Sequence, residues 1–281
     1  MLDQNLRDWI GQADTPKHKK ERQVIHIILN AVSKFNTQFQ VALKGGVLIA
    51  LIYGSTRHTR DIDFSTRQPY SKDSEEKFIA SLEKTLMEND FGYPIKCKVQ
   101  SFKIKPPQPP QTFPTLKIKI GYADLGNRNS MKRLELKNAT ETMSIDYSFN
   151  EIPIGTKYID IIAGRFIEIY DFNEIVSEKL RALIQQKDRN RTREQDVYDL
   201  YFLLSKSPVT SQTEKKDILN RLKKKSASRN VVVAKDSLED PEIIMRSKRD
   251  YKSLEDTIEG DLPPFEESFP FIQEFYRNLP W

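Results

Sequence analysis

Cysteine, histidine and long apolar runs are scarce in this chain, and each shortage excludes a class of chemistry. Cys97 is the only cysteine. One thiol closes no internal disulfide and builds no thiolate metal cluster, which fits a reducing compartment. The three histidines, His18, His26 and His58, show no spacing such as His-Glu-x-x-His, so zinc chemistry is not expected. No window holds the roughly 18 consecutive apolar residues of a membrane span. The opening MLDQNLRDWIGQ lacks the basic stretch and apolar run of a secretory signal. A cytoplasmic protein with no membrane partner is therefore expected. Internal repeats are also lacking, and the one biased tract is the proline-rich PPQPPQTFP.

What is present is a soluble, foldable composition. The 281 residues are 38% apolar and 30% charged, enough for a real core in one large domain or two modest ones. Lys and Arg number 45 against 40 Asp and Glu. The excess of five is a weak pointer to a polyanion, but its distribution says more. Basic residues gather late, at Lys187, Arg189, Arg191 and Arg193 and again from Lys215 to Arg229. They read either as solvated helix faces or as a surface for a phosphate backbone.

Periodicity divides the chain in two. Residues 16–35 place Val24, Ile27, Ile28 and Ala31 on one helical stripe. QVALK is a short strand ended by Gly45 and Gly46, and VLIALIY is a buried helix or strand. DIDFS alternates as a half-buried strand, and a helix over 73–88 follows it. IKCKVQSFKIK, TLKIKIGY and MSIDYSFN are strand-like, with the proline tract between the first two as a loop and residues 123–133 as a mobile turn. After about Gly164 the pattern becomes helical. Asp171 and Glu174 suit a capping box, Val197 to Leu204 form a second helix, and further helices are expected over 211–224, 240–257 and 270–278. The expected organisation is a mixed-sheet α/β domain over 1–165 and a mainly helical domain over 166–281.

Asp61-Ile62-Asp63 carries the chemical argument. Strand residues i and i+2 point the same way, so the two carboxylates share a face. Held together they repel unless a cation or proton intervenes, and magnesium joins such pairs to substrate phosphates. The plain alternative is two solvent-facing aspartates. Asp146, in Ser-Ile-Asp-Tyr-Ser, would add a third carboxylate if its strand lies beside that of Asp61, or else be a surface residue. Lys44-Gly45-Gly46 offers bare backbone N–H groups for phosphates, or is only a turn. Lys179 rides the edge of an apolar stripe, four residues from Ile175 and from Leu183, with its ammonium directed outward to a phosphate or to water. Asp196 opens the next helix, where a carboxylate also favours the helix dipole.

Together these pieces resemble the AbiEii/AbiGii-type toxin nucleotidyltransferases. LKGGVLIALIYGSTRHTRDIDFS is similar to that family's Gly-Gly turn, apolar helix and R-x-T-x-D-I-D stretch. YDFNEIVSEKLRALIQQ and REQDVYDLYFLL resemble its E-K-x-x-A-L and D-x-Y-D-L-x-x-L helices, so the likeness runs from about residue 40 to 205. The resemblance implies a nucleotidyltransferase-like mixed sheet with flanking helices and a helical C-terminal domain that completes the active site. It implies Asp61, Asp63 and Asp146 as ligands of magnesium, or of manganese in its place, and Lys179 and Asp196 as completing the catalytic set. Lys44, Gly45, Gly46, Arg57 and Lys179 are taken as NTP contacts, and Arg189, Arg191 and Arg193 as contacts to RNA. Val47 departs from the pattern, because the family often has Thr or Ser after the glycines.

The resemblance further implies a toxin of a toxin–antitoxin or phage-defence system, with a cognate antitoxin as partner. The activity it implies is transfer of NMP to an RNA 3′ hydroxyl, with tRNA foremost. Nucleotidylation of a protein is one alternative. A non-catalytic protein of the same fold that binds antitoxin or RNA is the other.

Overall fold

Alternation and capping place the elements. This computed structural model describes residues 2–88, 92–107, 112–162 and 164–281. Residues 108–111, at the centre of the proline tract, lie outside these. The described chain forms two compact units. The first is Met1–Leu51 with Thr59–Tyr170, and the second is Ile52–His58 with Asp171–Trp281.

The first unit opens with α1 (Leu2–Gly11), α2 (Pro16–Ser33), the short α3 (Asn36–Phe39), β1 (Ala42–Lys44) and α4 (Gly45–Tyr53), whose last two residues belong to the second unit. β2 (Asp61–Ser65), α5 (Lys72–Met87), β3 (Ile95–Lys105), β4 (Thr115–Asp124), α6 (Arg128–Glu135), β5 (Glu141–Ser148), β6 (Thr156–Ile162) and β7 (Arg165–Tyr170) complete it. The strands form one seven-stranded sheet in the order β3-β4-β5-β2-β1-β7-β6. It is mixed: β2 runs parallel to β5 and β1 parallel to β7, while the remaining neighbours are antiparallel.

Strand alternation gives the sheet two unlike faces. Ile62 and Phe64 on β2 and Ile145 and Tyr147 on β5 are fully buried. α2 and α5 pack on each other, and both contact β3. Phe78 of α5 stacks on Tyr147 with ring centroids 4.2 Å apart, and Phe35 and Phe39 meet Phe78 edge-on. Burying a ring of this size contributes about 2–3 kcal/mol. The alternate residues, Asp61, Asp63, Ser144 and Asp146, are thereby turned to the opposite face. Thr15 caps α2 by accepting from the His18 N–H, and Ser71 with Ser74 forms a capping box at α5.

The second unit contains α7 (Phe172–Gln185), α8 (Glu194–Lys206), α9 (Gln212–Ala227), α10 (Pro241–Arg249) and α11 (Phe265–Arg277), with 3-10 turns over 237–239 and 251–257. Its core joins Val176, Leu180 and Leu183 of α7 to Val197, Leu200 and Leu204 of α8 and to Ile218 and Leu222 of α9. Residues 52–58 are stitched into it by backbone: the His58 N–H donates to the Thr257 carbonyl at 2.7 Å, and the Glu259 N–H donates to that of Thr56 at 3.2 Å.

Several expectations are corrected. Residues 123–133 are not a mobile turn: β4 continues to Asp124, and Asn127 then caps α6 by accepting from the Ser130 N–H. VLIALIY is helical. At α7 the Glu174 N–H donates to the Asp171 side chain at 2.8 Å, while the Glu174 carboxylate is bound by Lys225 at 2.7 Å. The stretch expected as one helix over 240–257 breaks at Asp250 into α10 and a 3-10 turn, and α11 starts at Phe265 with Pro270 inside it. Elements α1, β6 and β7 are not foreshadowed by the periodicity of the chain.

Candidate functional site

Strand register assembles the acidic cluster of the first unit. Asp63 and Asp146 are direct Cα partners on parallel β2 and β5, and Asp61 partners Ser144. Neighbouring strands lie about 4.8 Å apart, so the Asp63 and Asp146 side chains rise side by side, with Asp61 one pleat repeat away on the same face. Asp61 is exposed, while Asp63 and Asp146 are half-buried.

On the outer side of Asp146, Lys117 of β4 donates to its Oδ2 at 2.6 Å. The motifs do not single out Lys117, although TLKIKIGY turns Lys117 and Lys119 away from the buried Leu116, Ile118 and Ile120. On the inner side, Lys44 of β1 partners Asp63 in register. The Lys44 ammonium lies 3.5 Å from Glu151 Oε1 and 5.8 Å from the centroid of the Tyr170 ring. A single row, Lys103–Lys117–Asp146–Asp63–Lys44, thus crosses five strands.

Gly45 is required at the start of α4 for two reasons. Its φ of +74° lies in the left-handed region, and a Cβ there would collide with the Asp63 carboxylate, meeting its Cγ at 2.8 Å. The bare α-carbon lets the acidic strand and the opening of α4 approach closely.

Asp61, Asp63 and Asp146 suit a hard divalent cation such as magnesium or manganese, because all their donors are carboxylate oxygens on one face. Asp146 is paired with a lysine ammonium here, Lys117 at 2.6 Å.

The second unit carries a buried charge network. Lys179 of α7 donates to Asp196 Oδ1 at 2.7 Å and to Asp199 Oδ2 at 2.8 Å, both on α8. Arg57 forks onto the same Asp199, Nε to Oδ1 at 2.9 Å and Nη2 to Oδ2 at 2.8 Å. Lys179 therefore does not point outward. Its ammonium turns between two helices because a buried charge requires partners. Burial works to lower its pKa, but Asp196 and Asp199 outweigh it and raise the pKa above the ordinary lysine value. Burial likewise works to raise the pKa of Asp199, but Arg57 and Lys179 hold it down at about 2. Asp199, the second Asp of the D-x-Y-D-L-x-x-L stretch, is not among the expected site residues. Its signal is present, three residues after Asp196 and so on the same helical face. Arg57, expected at the nucleotide, holds residues 52–58 to α8 through Asp199.

The late basic residues separate into two groups. Lys225 is buried against Glu174 and Glu178, and Lys223 lies over the Trp281 ring, 5.2 Å from its centroid. Lys187 pairs with Asp240. Arg189, by contrast, is crowded by cations. Burial and then Arg229, Arg191 and Arg193 lower its pKa from the ordinary arginine value. Arg193 also lies 3.7 Å from Asp196, and a loop with this basic excess suits a polyanion.

Among the described residues no helix is long and apolar enough to cross a membrane. The lone Cys97 is buried, which pushes its thiol up to about 12 and leaves it unreactive.

Comparison with known proteins adds a family and a fold. The family described as nucleotidyl transferase AbiEii toxin, type IV TA system, matches residues 27–275. Among solved structures, the chain is similar to JHP933 from Helicobacter pylori, with a TM-score of 0.55 at 14% identity over 95% of this chain and 93% of that one. It is also similar to a candidate nucleotidyltransferase from H. pylori, with a TM-score of 0.54 at 15% identity over 94% and 95% of the two chains. At these identities the structures speak to fold alone. No curated protein matches.

Proposed function

The chain belongs to the AbiEii family of nucleotidyl transferase toxins of type IV toxin–antitoxin systems, and from that membership we propose that it transfers NMP from an NTP to an RNA 3′ hydroxyl, with tRNA as the foremost acceptor. The observation that carries this reading is the in-register pairing of Asp63 with Asp146, with Asp61 on the same face and Gly45 bare beneath the Asp63 carboxylate. The protein acts in the cytoplasm, and its partners are NTP, RNA and a cognate antitoxin.

Asp61, Asp63 and Asp146 would hold magnesium, or manganese in its place. When bound there, such an ion would supply charge neutralisation for the triphosphate and lower the cost of ionising the attacking hydroxyl. Asp146 orients the acceptor hydroxyl and takes its proton. The 3′ oxygen forms a bond to the α-phosphorus, the bond from that phosphorus to the bridging oxygen breaks, and pyrophosphate leaves. The backbone N–H groups at Gly45 and Gly46, at the positive end of α4, receive phosphate oxygens, with Lys44 adding charge. The family resemblance assigns Lys179 to the nucleotide's phosphates, although its ammonium is held inward by Asp196 and Asp199. Arg57 is a positioning residue that acts through Asp199. Most of the rate enhancement comes from orientation and electrostatics.

The test is incubation of the protein with total RNA, magnesium or manganese, and each labelled NTP in turn. Label is expected in a discrete RNA. Label entering protein instead identifies protein nucleotidylation, and no incorporation from any NTP refutes the reading.

A further inference from the structure

The outer strands of the sheet carry a feature that the proposed function does not use. β3 is the terminal strand of the sheet, beside β4. On the face that bears Asp61, Asp63 and Asp146, these strands present Lys103, Lys105, Lys117 and Lys119. Lys103 partners Lys117, Lys105 partners Thr115, and Ser101 partners Lys119. Lys103, Lys105 and Lys119 are exposed. Like charges set directly opposite on neighbouring strands destabilise a sheet, so the Lys103–Lys117 pair is a cost to folding. Lys117 is relieved by Asp146 at 2.6 Å. Lys96 and Lys98, further along β3, are relieved by Glu135 of α6 at 2.9 and 2.6 Å. For Lys103, Lys105 and Lys119 no ion pair occurs among the described residues.

We propose that Lys103, Lys105 and Lys119 form a track for the phosphate backbone of a single-stranded RNA end, leading over Lys117 to Asp146. The direction follows from the register. The row from Lys103 through Lys117 to Asp146 and Asp63 starts at the open edge of the sheet and ends at the carboxylates in steps of about 4.8 Å. Lys105 and Lys119 flank this row by one pleat repeat, about 6.8 Å, on either side. Positive charge draws the strand in along the edge. The acidic pair repels further phosphate, so the chain stops where its terminal hydroxyl meets Asp146. Serine and threonine between the lysines, Ser101, Thr115 and Ser144, offer neutral hydrogen bonds and no base-reading geometry, so the track is indifferent to sequence. This inference deepens the proposed function and rests on it for the role of Asp146. The lysine track itself is testable separately.

The test is fluorescence anisotropy of a labelled single-stranded RNA oligonucleotide with a free 3′ hydroxyl, measured against salt. The proteins compared are wild type, K103Q/K105Q/K119Q and K103R/K105R/K119R. All three side chains are exposed, so both variants should melt as wild type does. Each lost phosphate contact on a single strand reduces the log–log salt slope by about 0.7, so the glutamine variant should lose about two units of slope and at least about tenfold in affinity at low salt. The arginine variant should bind as wild type does. Wild-type affinity and slope in the glutamine variant overturn the proposal, as does a wild-type protein that binds no single-stranded RNA. Retained RNA binding with loss of an acidic protein partner assigns the lysines to protein recognition and also overturns it. A wild-type protein that binds RNA through these lysines but incorporates no nucleotide overturns the transferase reading and leaves the track standing.

Discussion

The carboxylate of Asp63 fills the space into which a side chain on residue 45 would project, so Gly45 at the opening of α4 and Asp63 on β2 are fitted to each other. Gly45→Ala should therefore both strain the left-handed backbone, at about 1–2 kcal/mol, and displace the carboxylate. The expected outcome is a lower urea midpoint together with loss of nucleotide transfer. Gly126→Ala meets no neighbour within 4 Å and should leave transfer unchanged. Equal activity in Gly45→Ala and wild type would remove the site from this corner of the sheet.

Asp61→Asn and Asp63→Asn should each reduce transfer at least about 100-fold, the scale of losing one charged group at a reacting phosphate. Neither should unfold the protein. Removing one of several crowded carboxylates relieves repulsion, so melting without metal should stay level or rise. Calorimetry and single-turnover transfer at saturating magnesium decide this, and full activity in either variant counts against the assignment.

Lys179→Ala leaves Asp196 without its ammonium and Asp199 with Arg57 alone. Breaking a buried pair from one side costs about 3 kcal/mol, so the variant should unfold at clearly lower urea. Lys179→Arg should recover little, because its fork does not fit a pocket shaped around one point charge. NTP affinity separates the roles. A variant that is destabilised yet binds NTP with wild-type affinity would make Lys179 purely structural.

Asp199 sets an acid limit on the second unit. Its folded pKa is held at about 2, against about 3.9 for an unfolded aspartate. The folded value is the lower one, so the stabilisation is complete above about pH 4 and is lost as pH falls through about 2. Unfolding free energy measured from pH 2 to 5 should fall with acid over this window, and Asp199→Asn should flatten that fall. An unchanged slope in the variant would show that other carboxylates set the acid limit.

Neutralising Arg189, Arg191 and Arg193 together removes like charges crowded beside Arg229. Stability should stay about level, since relief of this crowding is set against loss of the Arg193–Asp196 pair at 3.7 Å, while RNA binding weakens and its salt slope drops by roughly one per lost duplex phosphate contact. NTP affinity should change little. Wild-type RNA binding in the triple variant would make this loop a solvated connection.

The strand of Asp61 and Asp63 and the helices bearing Lys179 and Asp196 are legible in the chain, because alternation, helical spacing and caps are local; the change to helical structure expected near Gly164 instead follows β7, at Phe172. The same locality puts Asp61 and Asp63 on one face. What lies beyond it are relationships between distant residues. Asp146 stands 83 positions after Asp63 in the numbering, and only the parallel pairing of β2 with β5 makes them neighbours. Lys117 becomes part of the acidic row because β4 lies on the other side of β5. Lys179 resembles an outward lysine because its own helix shows only an apolar edge. The partners that turn it inward, Asp196 and Asp199, belong to the next helix. β6 and β7 are hidden because residues 156–170 mix charged and apolar side chains without strict alternation, and they become strands by pairing with each other and, through β7, with β1. The sequence by itself determined which residues could share a face, since backbone geometry imposes that periodicity on any chain. Which faces met, and therefore which charges had to find one another, was decided only by tertiary packing, where burying the apolar sides of β2 and β5 left their carboxylates together.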